Sequence, residues 1–228
     1  MIYFVVLLAQ FLGVMVVITF HEFAHAYAAY KCGDPTAKFS GRMTLNPTKH
    51  FDALGVLMFV FAGFGWAKPV PINPYNFNNY KKGSFWTSAA GVLMNYAMAF
   101  VCYPVFVLTV YYALPFFSGK LIADFLYVLT QVLFTCSLSF CVFNLLPLYP
   151  LDGFRIVDAL SKRRSKAYWF LKQYGYYILM GLILVHVLSS RVPLLGAIDL
   201  LGYIMDFAIG VLGKPITAFW DLIFKRIL

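Results

Sequence analysis

The stretch IYFVVLLAQFLGVMVVITFHEFAH, residues 2–25, decides the fold of this chain because a long apolar run leads directly into a cluster of ionisable residues. About 20 consecutive apolar residues are enough for a helix to cross a lipid bilayer. Within residues 2–20 the polar side chains are those of Tyr3, Gln10 and Thr19. The run therefore predicts a membrane-spanning helix that carries ionisable groups at one end.

Two histidines and a glutamate at the end of this run have the spacing of a metal site. His21 and His25 are four residues apart, so on a helix they lie on one face, about 6 Å from each other. Two imidazoles so placed can bind one Zn²⁺, and Glu22 beside them can take a proton from a water molecule. The pattern predicts hydrolytic chemistry at membrane depth. The alternative is a solvated helix end whose side chains meet lipid headgroups.

The composition excludes an ordinary soluble domain. Of the 228 residues, 62% are hydrophobic and 12% are charged, and the mean hydropathy is +0.78, whereas soluble domains carry about 25% charged residues. The formal net charge of +9 favours anionic lipid headgroups over nucleic acid as a partner, because the basic residues lie between apolar runs. The four cysteines have no C-x-x-C spacing, which predicts buried thiols instead of a disulfide framework.

The apolar runs predict an all-α polytopic membrane protein with one integral-membrane domain, residues 1–228. The motif helix is expected to end near Lys31, where Gly33 and Pro35 follow. Further apolar stretches cover residues 85–114, 121–146, 168–188 and 194–212. The core is expected within about residues 1–160, followed by C-terminal helices over about residues 168–228.

Several shorter segments are not expected to span the membrane. Residues 53–66 are too short and predict a re-entrant or tilted segment. Residues 215–228 have one apolar and one polar face, which predicts an interfacial helix. Residues 36–50 predict a small β-hairpin or an extended loop. Residues 68–79 contain three prolines and four asparagines, so they cannot be helical and must be covered by protein or wetted by water.

The positions of lysine and arginine predict the orientation of the chain. Membrane proteins keep these residues on the cytoplasmic side. Nothing basic precedes Lys31, while basic residues are frequent between Lys31 and residue 85 and again between Arg155 and Lys172; Lys120 is alone between two spans. We expect the N-terminus outside and the motif toward the cytoplasmic side. The N-terminus lacks a basic first region and is not expected to be a cleavable signal.

A catalytic zinc needs a third protein ligand as well as an open position for water. Asp152 follows an apolar span in the sequence NLLPLYPLDG, residues 144–153. The two prolines break the helix and turn the backbone, which places the carboxylate at the same cytoplasmic-side depth as His25. Asp152 is therefore the candidate third ligand. The alternative is a helix N-cap or a turn residue beside Gly153.

At this point the sequence closely resembles the site-2 protease family of intramembrane zinc metalloproteases, peptidase family M50. The motif at residues 21–25 is H-E-x-x-H, and Asn144 through Gly153 fits the family pattern N-x-x-P-x-x-x-L-D-G. The compact prokaryotic branch, which has no PDZ or CBS module, is similar in further segments: Gly33–Ala37, Gly41–Pro47, Lys49–Asp52 and Gly65–Pro71. The resemblance covers about residues 10–160.

The resemblance implies a site-2-protease-like transmembrane core with one Zn²⁺ per chain. The metal would be bound by His21, His25 and Asp152, with Glu22 as general base.

Two asparagines are further site candidates by resemblance. Asn95 ends the segment GVLMN, which matches the family's G-P-x-x-N motif except for Val92 in place of proline. The resemblance implies that Asn95, and Asn144 as a second group, contacts the substrate or the oxyanion that forms from it. For each of them the alternative is a structural amide that bonds a neighbouring helix.

The implied function is intramembrane proteolysis of single-span or signal-peptide-like membrane proteins in a prokaryotic plasma membrane, with a homo-oligomer or a regulatory membrane protein in trans left open. An alternative enzyme clips juxtamembrane tails or remnant signal peptides. From another class, a metal transporter or a non-catalytic scaffold is possible, but a transporter is expected to show repeats and the motif has no second copy. His50 is either a group behind the metal ligands or a loop histidine, and His186 is expected to pack or to lie at a helix end.

Overall fold

The computed structural model describes residues 2–55, 58, 65–161 and 163–225, and it is almost entirely helical. Helix α1 (Ile2–Lys31) carries the first apolar run and the motif without a break. The other helices are α2 (Thr36–Phe39), α3 (Tyr80–Leu108), α4 (Leu121–Leu145), α5 (Asp152–Leu160), α6 (Lys166–Ser189), α7 (Pro193–Gly196) and α8 (Leu200–Phe224). A π-helical turn (Thr109–Ala113) and a final α-helical turn (Leu114–Phe116) extend α3.

Five helices are long and apolar enough to cross a membrane. They are α1, α3 with its extension to Phe116, α4, α6 and α8. The first four coincide with the predicted spans, so the polytopic all-α prediction is confirmed. The predicted re-entrant segment, residues 53–66, lies mostly outside the described residues. The division of the chain into one domain with a core to about residue 160 stays a prediction.

The C-terminal prediction of two elements is wrong, because one continuous helix, α8, covers both. Pro215 lies inside it, and apolar helices tolerate such a proline when neighbouring groups satisfy the freed backbone. Polar contacts fasten the far end of α8 to α3. Tyr103 donates a hydrogen bond of 2.9 Å to Asp221, and the indole nitrogen of Trp220 lies 2.8 Å from the Phe100 carbonyl oxygen. Residues 215–224 therefore pack on the bundle instead of lying at the interface.

Helices α1, α3 and α4 pack against one another and form the centre of the molecule. Small side chains allow the close approach. A Cβ added at Gly13 of α1 would lie 2.7 Å from Cγ1 of Val132 in α4, and Ala9 and Ala26 of α1 are fully buried. Such small residues let helix backbones come together where lipid supplies no hydrophobic driving force. Helix α5 packs on α3, and α8 packs on α3, α4 and α6.

The β-hairpin expected over residues 36–50 is not formed. Residues 36–39 are the short helix α2, Pro47–Lys49 is a 3₁₀ turn, and the described residues contain one isolated antiparallel bridge, between Phe51 and Ala67, and no strand. The physical reason is local, because the main-chain N–H groups of residues 39–43 donate to carbonyl oxygens of residues 35–38 in a short helix and a turn. The neighbouring segment, residues 67–77 and here called the strap, contains three prolines, which lack the N–H that a β-ladder requires.

Side chains make most of the hydrogen bonds that join the main chain of the strap to other described parts of the chain, apart from one between the Lys68 N–H and the His50 carbonyl oxygen at 3.0 Å. The Arg42 guanidinium donates to the carbonyl oxygens of Lys68 and Pro69 at 2.6 and 3.2 Å. The Val70 N–H donates to the Glu22 carboxylate at 2.9 Å. The prediction that residues 68–79 form no α-helix agrees with the structure, in which Pro74–Asn76 is a 3₁₀ turn and α3 begins at Tyr80.

Asp34 fastens the far end of the strap to the end of α1. Gly33, with φ of +106°, turns the chain out of α1, and the buried Asp34 carboxylate follows. It accepts hydrogen bonds from the Asn73 N–H at 2.7 Å, from the Asn76 amide at 2.8 Å, and from Thr36. Burial alone would raise the pKa of Asp34, but these hydrogen bonds outweigh it and hold the pKa below its ordinary value.

We predict that Asp34→Asn loosens the strap at neutral pH. Losing hydrogen bonds to a buried charge costs about 2 kcal/mol, which corresponds to roughly thirtyfold weaker protection of the strap amides. Hydrogen–deuterium exchange over residues 67–77 at pH 7 measures it. Because the folded pKa of Asp34 is lowered, its stabilisation is fully present above about pH 4 and decreases as the pH falls towards the folded pKa, so the difference in protection between wild type and variant should shrink at acid pH.

Asp124→Asn is the control, because the Asp124 carboxylate accepts no hydrogen bond within the described part of the chain. Equal protection of the strap in wild type and Asp34→Asn at pH 7 would contradict the anchoring role.

Candidate metal centre

His21 and His25 present their Nε2 atoms to the same point. Both lie on the inward face of α1, one turn apart, and their Nε2 atoms are 2.9 Å from each other. Each residue is 6% exposed. The apolar helix thus carries two imidazoles into the packed interior, where polar groups need partners.

Asp152 completes a set of three donor atoms. The chain reverses after α4 through Pro147 and Pro150, and Asp152 is the first residue of α5. Its Oδ2 lies 3.0 Å from Nε2 of His25 and 3.4 Å from Nε2 of His21. These are the donor atoms of a cluster that could hold a metal ion.

The surroundings of Asp152 suit a cation. Its Oδ2 is buried and receives no hydrogen bond among the described residues, so a positive charge there would satisfy an otherwise bare carboxylate oxygen. This oxygen is therefore available as a ligand for a metal ion bound by the two histidines.

The remaining ring nitrogens are held from behind. Nδ1 of His25 lies 2.7 Å from the main-chain carbonyl oxygen of Thr87. Because a carbonyl only accepts, this Nδ1 carries the proton and donates, which leaves the Nε2 lone pair for a metal.

Asn95 holds the other histidine in the same way. It is fully buried, and its side-chain amide lies 3.0 Å from Nδ1 of His21. The Asn95 oxygen has no partner among the described residues. Turning the amide by 180° places that oxygen at Nδ1 of His21, which satisfies the oxygen and leaves Nε2 free.

A glycine lets α3 approach the two rings. A Cβ added at Gly91 would collide with the rings of His21 and His25. Gly91 lies one turn before Asn95 and one turn after Thr87 on α3. This stretch of α3 therefore forms the wall behind both histidines.

Glu22 lies beside the three donor atoms at a small cavity. It is half-buried and is the one glutamate in the sequence. The cavity has a volume of about 150 Å³. Its lining residues are His21, Glu22, His25, Pro69, Val70, Ile72, Asn144, Pro150, Leu151, Asp152 and Arg155. The strap thus covers one side of the site, and the turn before α5 covers another.

Comparison with known proteins identifies the fold and site together. The family model described as peptidase family M50 matches residues 9–188. The chain belongs to peptidase family M50. The resemblance to the site-2 protease family is thereby confirmed.

Two curated relatives agree with this membership. The chain is 37% identical over 203 residues to the predicted zinc metalloprotease YwhC of Bacillus subtilis, covering 86% of this chain and 90% of YwhC. It is 27% identical over 225 residues to the predicted zinc metalloprotease Rip2 of Mycolicibacterium smegmatis, covering 92% of this chain and 79% of Rip2. No solved structure matches the chain.

Five of the six predicted residues line the cavity, and four of them surround the donor atoms: His21, Glu22, His25 and Asp152. Asn144 also lines the cavity, but its amide donates to the Phe140 carbonyl at 3.1 Å.

The other candidates lie elsewhere. Asn95 is behind His21 and is not among the residues that line the cavity. His50 bonds the Thr44 carbonyl at 2.9 Å, as a loop histidine. His186 lies in the last turn of α6, 2.8 Å from Asp199.

Four groups that shape the M50 site were not predicted from the sequence. They are the close packing of Gly91, the Thr87 carbonyl, the Val70 N–H and the Arg155 side chain. Gly91 stood in the motif that pointed to Asn95. Arg155 had a positional signal, since it follows Asp152 by three residues on one helical face. The Thr87 and Val70 contacts are made by the main chain, which leaves no signal in residue type.

We predict that Gly91→Ala lowers metal binding by the M50 site at least tenfold, because the added Cβ displaces the His21 and His25 rings. Metal content of the purified protein, measured after equilibration with Zn²⁺, tests this. Gly181→Ala in α6 is the matched control, since a Cβ there meets no atom within 4 Å. Full metal content in Gly91→Ala would show that α3 does not constrain the rings.

We also predict that Zn²⁺ affinity depends on the side-chain oxygen of Asn95 more than on the volume of that side chain. Asn95→Leu removes the acceptor for His21 and should weaken Zn²⁺ binding about 10- to 100-fold. Asn95→Asp keeps an oxygen at either position and should retain affinity near that of wild type. Competition with a chromogenic chelator measures both affinities. Equal affinity in Asn95→Leu and wild type would exclude this orienting role.

Proposed function

We propose that this protein is an intramembrane zinc metalloprotease that hydrolyses peptide bonds in or beside transmembrane helices of other membrane proteins. The proposal goes beyond family membership in two respects: the depth of the reaction and the class of substrate. One observation carries it, namely the position of the two histidines, and of the glycine packed against them, along apolar helices that are candidate membrane spans.

The two histidines lie well inside α1, and Gly91, which packs against their rings, lies well inside α3. His25 precedes Lys31, the last residue of α1, by about 9 Å of helix, and Gly91 follows Tyr80, the first residue of α3, by about 16 Å. Both helices are candidate membrane spans. A peptide bond that reaches this site must therefore come from a segment at similar depth, which favours a transmembrane or signal-peptide-like substrate.

Zinc is the metal that this donor set suits. Two imidazole nitrogens and one carboxylate oxygen are a ligand set of catalytic zinc sites, which keep a fourth position open. The bare Oδ2 of Asp152 and the free Nε2 atoms fit one ion per chain, and the names of both curated relatives include zinc. When bound, Zn²⁺ supplies Lewis acidity, which makes water acidic and polarises a carbonyl.

Glu22 is the proton carrier in this proposal. The Val70 N–H holds its Oε2 at 2.9 Å, which leaves Oε1 to accept a proton from the attacking water. The same carboxyl group can then donate that proton to the departing amine. His21, His25 and Asp152 hold the metal, and Asn95 and Thr87 hold the histidines.

We further propose that the site faces the cytoplasmic side of the plasma membrane, with the N-terminus outside. The basic residues support this orientation. Lys31 ends α1, Lys81 and Lys82 begin α3, and Lys166 begins α6. The opposite helix ends carry Lys120 and Arg191. The lipid bilayer is then the chain's constant partner. Assembly with a second copy, or with a regulatory membrane protein, stays a prediction.

We predict that Glu22→Gln keeps zinc and loses proteolysis at least 100-fold, because the amide cannot accept the water proton. Membrane proteins that accumulate uncut in cells carrying only Glu22→Gln identify the substrate. The purified full-length protein, reconstituted in vesicles with that substrate, then gives the rate and, by mass spectrometry of the products, the cut position. Asp124→Asn, a carboxylate outside the cavity lining, is the control and should cut at the wild-type rate.

The outcomes separate the alternatives. A cut inside the apolar segment near its cytoplasmic end supports the proposal and the orientation. A cut outside that segment supports an enzyme that clips juxtamembrane tails or remnant signal peptides. Undiminished cleavage by Glu22→Gln would refute the mechanism. Absence of cleavage in both forms would favour the metal transporter or the scaffold.

A further inference from the structure

The cavity contains one cationic side chain that the proposed chemistry has not used. Arg155 lies on α5, one turn after Asp152, and lines the same cavity as Glu22 and the three donor atoms. Its side chain is exposed to that space. Among the described residues, no carboxylate lies within ion-pair distance of it and none accepts a hydrogen bond from it.

Two other arginines of the chain show what an engaged guanidinium looks like here. Arg42 is buried and donates to the main-chain carbonyls of Lys68 and Pro69. Arg164 pairs with Asp158 at 3.4 Å. Arg155 differs from both, because it combines a place at the cavity with five N–H donors that have no acceptor in the described structure.

The neutral hydrogen-bond donors near the cavity already have acceptors. The Asn95 amide lies against His21, away from the cavity. The Asn144 amide donates to the Phe140 carbonyl, and the Val70 N–H donates to Glu22. A peptide bond in this cavity would therefore find its strongest uncommitted donor in Arg155.

We propose that Arg155 is a catalytic residue that donates a hydrogen bond to the carbonyl oxygen of the scissile peptide bond as that oxygen becomes negative. This inference rests on the proposed function. It replaces Asn95 in the oxyanion-binding role expected from sequence and adds a charged donor to the single N–H that Asn144 keeps free.

The reaction balances around this contact. The water oxygen forms a bond to the carbonyl carbon while Glu22 takes the water proton, and the π electron pair of the carbonyl moves onto its oxygen. The Arg155 guanidinium donates to that oxygen. The electron pair on that oxygen then re-forms the C=O bond, and the C–N bond breaks. Glu22 gives its proton to the nitrogen, which leaves as an amine.

The charges of the cavity explain why a cation is useful at this point. Glu22 becomes neutral when it takes the water proton, while a new negative charge grows on the substrate oxygen in a cavity that also contains the Asp152 carboxylate. A charged donor interacts more strongly with that oxygen than with the neutral carbonyl that precedes it, and such differential binding lowers the barrier. Charge-assisted hydrogen bonds are also the stronger ones.

The experiment compares Arg155→Ala, Arg155→Lys and wild type, each as the full-length zinc-loaded protein in vesicles with the substrate found above. We expect Arg155→Ala to lower kcat by 10²- to 10³-fold, the range for loss of an oxyanion donor, with KM changed less than threefold. Arg155→Lys, which keeps the charge without the planar fork, should recover part of the rate. Arg163→Ala is the control, because Arg163 is exposed in the loop after α5 and is not in the cavity lining.

A binding measurement separates a catalytic role from a structural one. A phosphinic peptide, whose tetrahedral oxygens carry a negative charge, resembles the transition state. Arg155→Ala should weaken its binding by about the same factor as it lowers kcat/KM. Binding of the intact substrate, measured in the Glu22→Gln background, should change less than threefold. Zinc content should stay at one ion per chain in every variant.

Each other result overturns the inference. A raised KM with unchanged kcat would make Arg155 a binding group for an acidic part of the substrate. Loss of zinc in both Arg155 variants would make it a structural residue. If Glu22→Gln is inactive while Arg155→Ala cuts at the wild-type rate, this inference alone fails. If Glu22→Gln still cuts, the proposed function fails independently of Arg155.

Discussion

The convergence of the His21 and His25 imidazoles on the Asp152 carboxylate is the interaction on which the rest of the structure depends. Polar groups inside an apolar bundle are costly unless each has a partner. Here the Nδ1 atoms of both histidines have partners on α3, whereas Oδ2 of Asp152 has none among the described residues and suits a cation. Helix α3 contacts both histidines from behind, because Thr87, Gly91 and Asn95 lie one turn apart on it. The small residues that let α1 and α4 approach, and the prolines that reverse the chain after α4, bring the third donor to the same point.

The strap is the second element of the site, because it lines one side of the cavity and its Val70 N–H binds Glu22. Side chains from three places bind its main chain. Glu22 on α1 and Asp34 just after α1 accept hydrogen bonds from strap N–H groups, and Arg42 in the following loop donates to strap carbonyls. This arrangement covers an extended chain at membrane depth without a β-sheet. It also makes one carboxylate serve twice, because Glu22 holds the strap with one oxygen and faces the cavity beside the donor atoms.

The spans, the two histidines and the third donor were predictable because each follows from a local rule: run length for the helices, helical spacing for His21 and His25, and proline-induced reversal for Asp152. The errors arose where tertiary contacts decide. A hairpin over residues 36–50 fits local alternation, but the N–H groups of residues 39–43 are used in a short helix and a turn. A break at Pro215 fits local propensity, but packing of Trp220 and Tyr103 keeps α8 continuous. Asn95 was singled out by its motif, yet whether its amide faces substrate or His21 depends on how α3 rotates against α1.

The Val70 contact with Glu22 has a consequence for how this site tolerates change. The donor is a main-chain N–H, and both chain neighbours, Pro69 and Pro71, have none to offer in its place. The Val70 side chain is buried against Ala26 and Ala37, which limits its size, but every residue type except proline would keep the N–H that holds Glu22. Part of the geometry of this site therefore depends on a main-chain group, which the residue type does not reveal.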